Sequence, residues 1–143
     1  MYYIKKFDNM DEKIKDYAVL SLRIVLGIIF IYHGYPKLFG GLGSTAQFFA
    51  SIGIPLASFF AVVVALVEFF GGIALIIGFL TRWASLFLLI DMIVAFFLVH
   101  LKNGFSIQNG GVEFVLILIA GLITLKILGA QKLSVDSILS HRF

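Results

Sequence analysis

The sequence runs to 143 residues, of which 61% are hydrophobic, 15% aromatic and only 13% charged, and its mean hydropathy is +1.07. A water-soluble domain is nearer half apolar and a quarter charged, so this chain has too little polar surface to cover a soluble fold. The net charge of +3 includes no basic run, which argues against nucleic acid as a partner, and the absence of cysteine removes disulfides, dithiol chemistry and iron–sulfur ligation.

Residues 1–16 carry both signs of charge and place Ile4, Phe7, Met10, Ile14 and Tyr17 at helical spacing. This predicts a short amphipathic helix on the cytoplasmic membrane surface. A bilayer core needs about twenty mostly apolar residues per helix. Four segments meet that requirement, 17–35, 56–80, 83–101 and 112–130, within one transmembrane domain over 17–130. The first ends in His33-Gly34-Tyr35-Pro36-Lys37, not in a small-residue cleavage site, so it reads as a retained span that Pro36 stops. Segment 36–55 is too long for a bare loop. Ser44-Thr45-Ala46-Gln47 has the form of a capping box and predicts a short helix at 44–52, at the outer surface or folded back over the bundle mouth. Gly53-Ile54-Pro55 opens the second span, Thr81-Arg82 separates the second from the third, and Gly129 closes the fourth. In the tail, 131–143, the stretch Leu133 to Leu139 suits the cytoplasmic surface. The expected fold is all-α: an integral membrane four-helix bundle with a short interfacial helix between the first and second spans.

With four spans, both termini and the 81–82 turn share one side, which holds Lys5, Lys6, Lys13, Lys15, Arg82, Lys126, Lys132 and Arg142. The opposite side holds only Lys37 and Lys102. That bias predicts cytoplasmic termini.

Ionisable residues inside apolar spans cost several kcal/mol unless they are paired or face a cavity. At 1.5 Å per residue, Arg23, Asp91 and Glu68 sit about 9, 12 and 18 Å above the cytoplasmic edge. Arg23 shares a stripe with Gly27, Phe30, Gly34 and Lys37, and Glu68 one with Ala57, Ala61, Ala65, Gly72 and Leu75. Small residues mark packing faces, so Glu68 is expected to point into the bundle. Asp91 shares a face with Ala84, Ala95 and Leu98, and Glu113 one with Ala120 and Thr124. The expectation is a buried polar cluster of Arg23, Glu68 and Asp91. Such a cluster either fixes helix register or serves a function such as proton relay.

Nearer the outer edge, His33, Lys37, His100, Lys102 and Glu113 are candidates for an outer mouth. His33, Lys37, His100 and Glu113 are the ligand-binding candidates there. Lysine and histidine can donate hydrogen bonds to quinone carbonyls, and Tyr32, Tyr35, Phe39, Phe96 and Phe97 can hold a planar ring. The same residues also suit a plain interfacial belt. Two histidines on different helices can ligate a haem iron, for which matching depth is the only sign. Glu113 also suits a first helical turn. No metal site is expected, and no motif for nucleotide binding or hydrolysis is present.

The ordered set Arg23-x-x-x-Gly27, Gly34-x-x-Lys37, Gly53-Ile54-Pro55, Glu68-x-x-Gly71-Gly72, Gly78-x-x-Thr81-Arg82 and Gly110-Gly111-x-Glu113-Phe114 resembles the DoxX family of small bacterial and archaeal membrane proteins. The resemblance spans about Leu22 to Gly129. It implies a four-helix membrane bundle in a prokaryotic plasma membrane and a link to a subunit of a thiosulfate:quinone oxidoreductase. By family motif, Arg23, Lys37, Glu68 and Glu113 carry over, whereas Asp91, His33 and His100 come from the residues alone. Catalytic residues are not assigned. The leading expectation is a redox-associated membrane subunit that binds a quinone or an oxidoreductase partner subunit. The alternatives are a solute or proton transporter, which four helices would form as a homo-oligomer, and a scaffold without a ligand.

Overall fold

A computed structural model describes the backbone of residues 2–140 and the side chains of residues 11–139. Among the described residues the chain is all-helical, without a strand. Helix α1 spans Tyr2–Leu38, α2 Leu42–Ser51, α3 Ala57–Ile77, α4 Thr81–Ala95, α5 Glu113–Leu128 and α6 Val135–Ser140. A π turn, Phe96–His100, and a 3-10 turn, Leu101–Asn103, prolong α4.

The element boundaries differ from the sequence expectation in three places. Helix α1 runs on without a break at residue 16; the side chains of Ile4, Phe7 and Met10, expected on the membrane surface, lie outside the described residues. Pro36 does not stop α1, which continues to Leu38. It lies in the final turn, where a missing N–H and a fixed φ disturb little that follows. Helix α2 starts at Leu42, two residues before the expected capping box, and the box is not made. Ser44 is already inside the first turn, and both Ser44 Oγ and Thr45 Oγ1 donate back to the Gly41 carbonyl, at 2.9 and 2.8 Å.

Helix α3 and the helical stretch Thr81–Asn103 are long and apolar enough to cross a membrane. Only 28% and 22% of their apolar windows are buried within the chain, far less than for the core helix of a soluble protein. Outward-facing Phe59, Phe70, Phe97 and Ile117 leave an apolar surface that suits lipid.

Inside, α1 packs chiefly on α3 and α4 on α5, while α3 also meets α4 and α2 lies along α3. Phe30, Leu75, Leu88, Leu118 and Leu122 bring α1, α3, α4 and α5 to one apolar core. The small-residue stripe of α3 is its buried face: Ala61, Ala65, Glu68, Gly72 and Leu75. On α5 the buried face is Val115, Leu118, Leu122 and Leu125, so Ala120 and Thr124 point outward. Helix α5 is apolar on nearly every side, so periodicity carries little information there.

The α1–α3 contact is a close approach of backbones. A Cβ added at Gly27 would lie 2.6 Å from the Gly72 carbonyl oxygen, and one at Gly72 2.7 Å from that of Gly27. One added at Gly34 would lie 2.5 Å from the Phe69 nitrogen and 2.9 Å from Glu68 Cβ. Only glycine allows this spacing, which is how small-residue stripes pack membrane helices.

Candidate functional site

The close crossing at Gly34 sets the geometry of the polar site. One turn beyond it, Lys37 reaches across to α3 and donates to both carboxylate oxygens of Glu68, at 2.6 and 2.5 Å. Glu68 is only 3% exposed, and the Lys37 side chain is partly open. Asp91 from α4 lies beside Glu68, within electrostatic reach of both Glu68 and Lys37. Its Oδ2 is buried and has no hydrogen-bond partner.

These three groups face a cavity of about 830 Å³. That is the size range of small-molecule and cofactor sites, which are mostly apolar with a few placed polar groups. His33 of α1 and His100 at the end of the α4 extension also line it. The walls are apolar, with Phe48 and Phe49 from α2, Phe60 from α3, Phe87 from α4 and Phe114 from α5. Helix α2 is therefore folded back over the cavity, the second of the two placements its sequence allowed.

The expected cluster of Arg23, Glu68 and Asp91 does not form. Arg23 is 1% exposed and lies at the opposite end of the helices. Four of its five N–H donors go to carbonyls: Nε donates to Leu75 at 2.8 Å, Nη2 to Ile76 at 2.9 Å, and Nη1 to Ala130 and Leu133 at 2.8 Å each. Leu75 and Ile76 lie in the last turn of α3, where the macrodipole favours a cation, and the Leu75 carbonyl also accepts from the Gly78 N–H at 3.2 Å. Depth alone misled the pairing, because a guanidinium with five donors can be satisfied by carbonyls as well as by a carboxylate. Gly78, at φ +70, makes room for it: a Cβ there would lie 2.6 Å from Arg23 Nη2.

The same end is closed by the tail. Asp136 accepts from the backbone N–H groups of Leu80 and Thr81, at 2.7 and 3.0 Å, and so caps the start of α4. Its own N–H donates to the Gly78 carbonyl at 2.9 Å. The sequence offered a sign of this in an aspartate at the start of a short amphipathic stretch, but not which helix it would cap.

Glu113 does not line the cavity either. Its Oε2 accepts from the Ile107 N–H at 2.8 Å and orders the loop before α5. His100 Nδ1 lies 2.7 Å from the Gly110 carbonyl oxygen and ties the far side of the same loop. Of the outer-mouth candidates, the structure thus brings His33, Lys37 and His100 to the cavity and leaves Glu113 as a loop anchor. Tyr32, Tyr35, Phe39 and Phe97 face outward, and the ring-lined walls come from other phenylalanines. Among the described residues no group of His, Asp and Glu is placed to hold a metal ion.

The model of the DoxX family matches residues 18–101, which include Arg23, Lys37, Glu68 and Asp91. The chain is 38% identical over 119 residues to a Bacillus subtilis protein named "Putative oxidoreductase CatD", covering 83% of this chain and 84% of that one. It is 34% identical over 134 residues to "Inner membrane protein YqjF" of Escherichia coli, covering 92% of this chain and 99% of the relative. No solved structure matches the chain. The match over more than half its length, the two near full-length relatives and the apolar helices make this chain a membrane protein of the DoxX family.

Proposed function

We propose that the protein binds a small aromatic redox molecule, a quinone of the membrane pool, in the cavity, and acts beside or within a membrane oxidoreductase. The carrying observation is the combination of a ring-lined apolar cavity with a polar floor of Lys37, Glu68 and Asp91. The rings of Phe48, Phe49 and Phe60 suit the faces of a planar ligand. Lys37, His33 and His100 supply polar contacts at its edge. The oxidoreductase name of the Bacillus subtilis relative supports the redox association. In this reading α1, α3, α4 with its extension, and α5 are the four membrane crossings of a prokaryotic cell-membrane protein, with both termini on the cytoplasmic side.

The transport alternative has less support. Its motive was ionisable groups at staggered depths, but Arg23 is enclosed by carbonyls and the apolar core separates it from Glu68. The scaffold alternative draws on the Gly27–Gly72 contact and the Arg23 tie, which serve packing alone.

The test is purification in mild detergent, with extraction of bound small molecules for mass spectrometry and an absorption spectrum taken first. A quinone recovered near one per chain, and lost from Glu68→Gln protein, is the expected result. A ligand-free preparation that also fails to bind added decylubiquinone saturably would remove the reading.

A further inference from the structure

The polar groups around the cavity differ in what they still offer a ligand. Lys37 has donors only, and both oxygens of Glu68 already accept from it. Asp91 Oδ2 is sealed among the helices, out of reach of a molecule in the cavity. His100 is placed differently. It closes the π turn that prolongs α4, a geometry that frequently marks functional positions in helices, and its ring is part of the cavity wall.

Its Nδ1 lies 2.7 Å from the Gly110 carbonyl oxygen, to which Asn103 Nδ2 also donates, at 3.2 Å. A carbonyl oxygen can only accept, so Nδ1 carries the hydrogen. In a neutral imidazole the other nitrogen is then bare. The nitrogen that His100 keeps for a ligand is therefore Nε2, as an acceptor. The Gly110 carbonyl does for this ring what the orienting acceptor does for a base histidine elsewhere: it fixes the tautomer and steadies the positive ring once Nε2 takes a proton. The carbonyls of an oxidised quinone bring this nitrogen no hydrogen. A hydroxyl on an aromatic ring does, and it stays protonated near neutral pH, since its ordinary pKa is about 10.

Resting on the reading of this cavity as a quinone site, we propose that His100 Nε2 is its proton acceptor, taking the hydrogen bond of a ring hydroxyl on the ligand and, when that hydroxyl ionises, its proton. In that step the O–H bond breaks with its electron pair left on oxygen, an N–H bond forms at Nε2, and the imidazolium keeps its Nδ1–H on the Gly110 carbonyl. His100 is thus the catalytic residue, and Gly110 positions it.

Nitrogen NMR of the full-length protein with isotope-labelled histidine, in mild detergent under anaerobic conditions at about pH 8, tests this with decylubiquinol and its dimethyl ether. The chain has three histidines, and the His100 ring is identified by the signals missing from His100→Gln protein. Without ligand, His100 is expected to show a protonated Nδ1 and a bare Nε2. Decylubiquinol is expected to move the Nε2 resonance towards the protonated position, and the ether, which lacks any O–H, to leave it in place. Equilibrium dialysis gives a second readout. His100→Gln is expected to bind the quinol about fivefold more weakly than wild-type protein does, and the ether equally well, whereas a merely loosened loop before α5 would weaken both alike. A ligand-free ring with its hydrogen on Nε2, an Nε2 resonance that bound quinol leaves unmoved, or equal weakening of both ligands in His100→Gln overturns the role of His100 and leaves the quinone site standing. Failure of both probes to bind saturably overturns the site and this role together.

Discussion

Arg23 and Lys37 lie about 21 Å apart along α1 at the rise of an α-helix. Both are cations among apolar residues, and both reach α3, Arg23 also the segment after α5. Arg23 meets main-chain carbonyls only, four of them, in a closed pocket sealed by the tail. Lys37 meets the side chain of Glu68 and keeps an open flank towards the cavity, beside an aspartate with an unpartnered oxygen. Buried polar groups with every partner in place rigidify a fold. Those that converge on the wall of an apolar cavity are where a ligand is expected. The two ends of one helix thus divide structural from functional polarity, and the division is open to experiment.

Substituting Arg23 with alanine is expected to have the largest effect on stability, on the order of 3–5 kcal/mol, since four buried or partly buried carbonyls lose the guanidinium at once and only that of Leu75 keeps a second donor, the Gly78 N–H. The readout is thermal unfolding in detergent; the folded fraction should keep its ligand affinity. Lost affinity in well-folded Arg23→Ala protein would erase the distinction between the two ends. Gly34→Leu should lower stability by about 3 kcal/mol through overpacking against Glu68 and Phe69, and should also abolish binding, because it spreads the helices that Lys37 must bridge. Lys37→Met leaves Glu68 buried without its partner, which costs about 3 kcal/mol. The double variant Lys37→Met with Glu68→Leu is expected to regain that stability without regaining ligand, measured by the same unfolding and dialysis. His100→Ala removes one tie to the loop before α5 and should cost about 1 kcal/mol, with a modest loss of affinity.

The smallest effect is expected at the exposed pair of Glu12 and Lys132. Lys132 holds the Glu12 carboxyl below its ordinary range by hydrogen bond and charge, and Glu12 holds the Lys132 ammonium above its own. The carboxylate contribution is present above the ordinary glutamate pKa and fades as pH falls through the lowered value. The lysine contribution is present below the ordinary lysine pKa and fades as pH rises through the raised one. Across neutral pH the pair is therefore constant, and solvent screening leaves it weak. Glu12→Gln should leave the unfolding temperature unchanged between pH 6 and pH 8, and a clear fall would mean that this contact joins the Arg23 end.

The sequence made the apolar helices, their approximate bounds and the buried stripe of α3 legible, because small residues at Ala61, Ala65 and Gly72 interrupt large apolar ones at a fixed helical interval. It also showed that Glu68 points inward. The pairing of charges was not legible. Depth placed Arg23 and Asp91 at similar levels, but the partners of a guanidinium include carbonyls, which every sequence supplies and none marks. The identity of the ring-bearing wall was hidden for a similar reason. With 16 phenylalanines in the chain, aromatic residues occur on every face, and only the return of α2 over the cavity selects Phe48 and Phe49. Glu113 belonged to a family motif, yet the motif alone does not say that the carboxylate orders a loop from within.

The Arg23 tie also has a consequence for the timing of assembly. Its guanidinium sits in the first long helix to be made, while two of its acceptors, at Ala130 and Leu133, follow 107 and 110 residues later. If α1 crosses the membrane as proposed, a guanidinium within it is costly to leave without partners. Until the last helix arrives, α1 must keep Arg23 near an interface or against partial partners. Its final seat becomes available only when the whole bundle has been synthesised, so one side chain reports that the chain has closed.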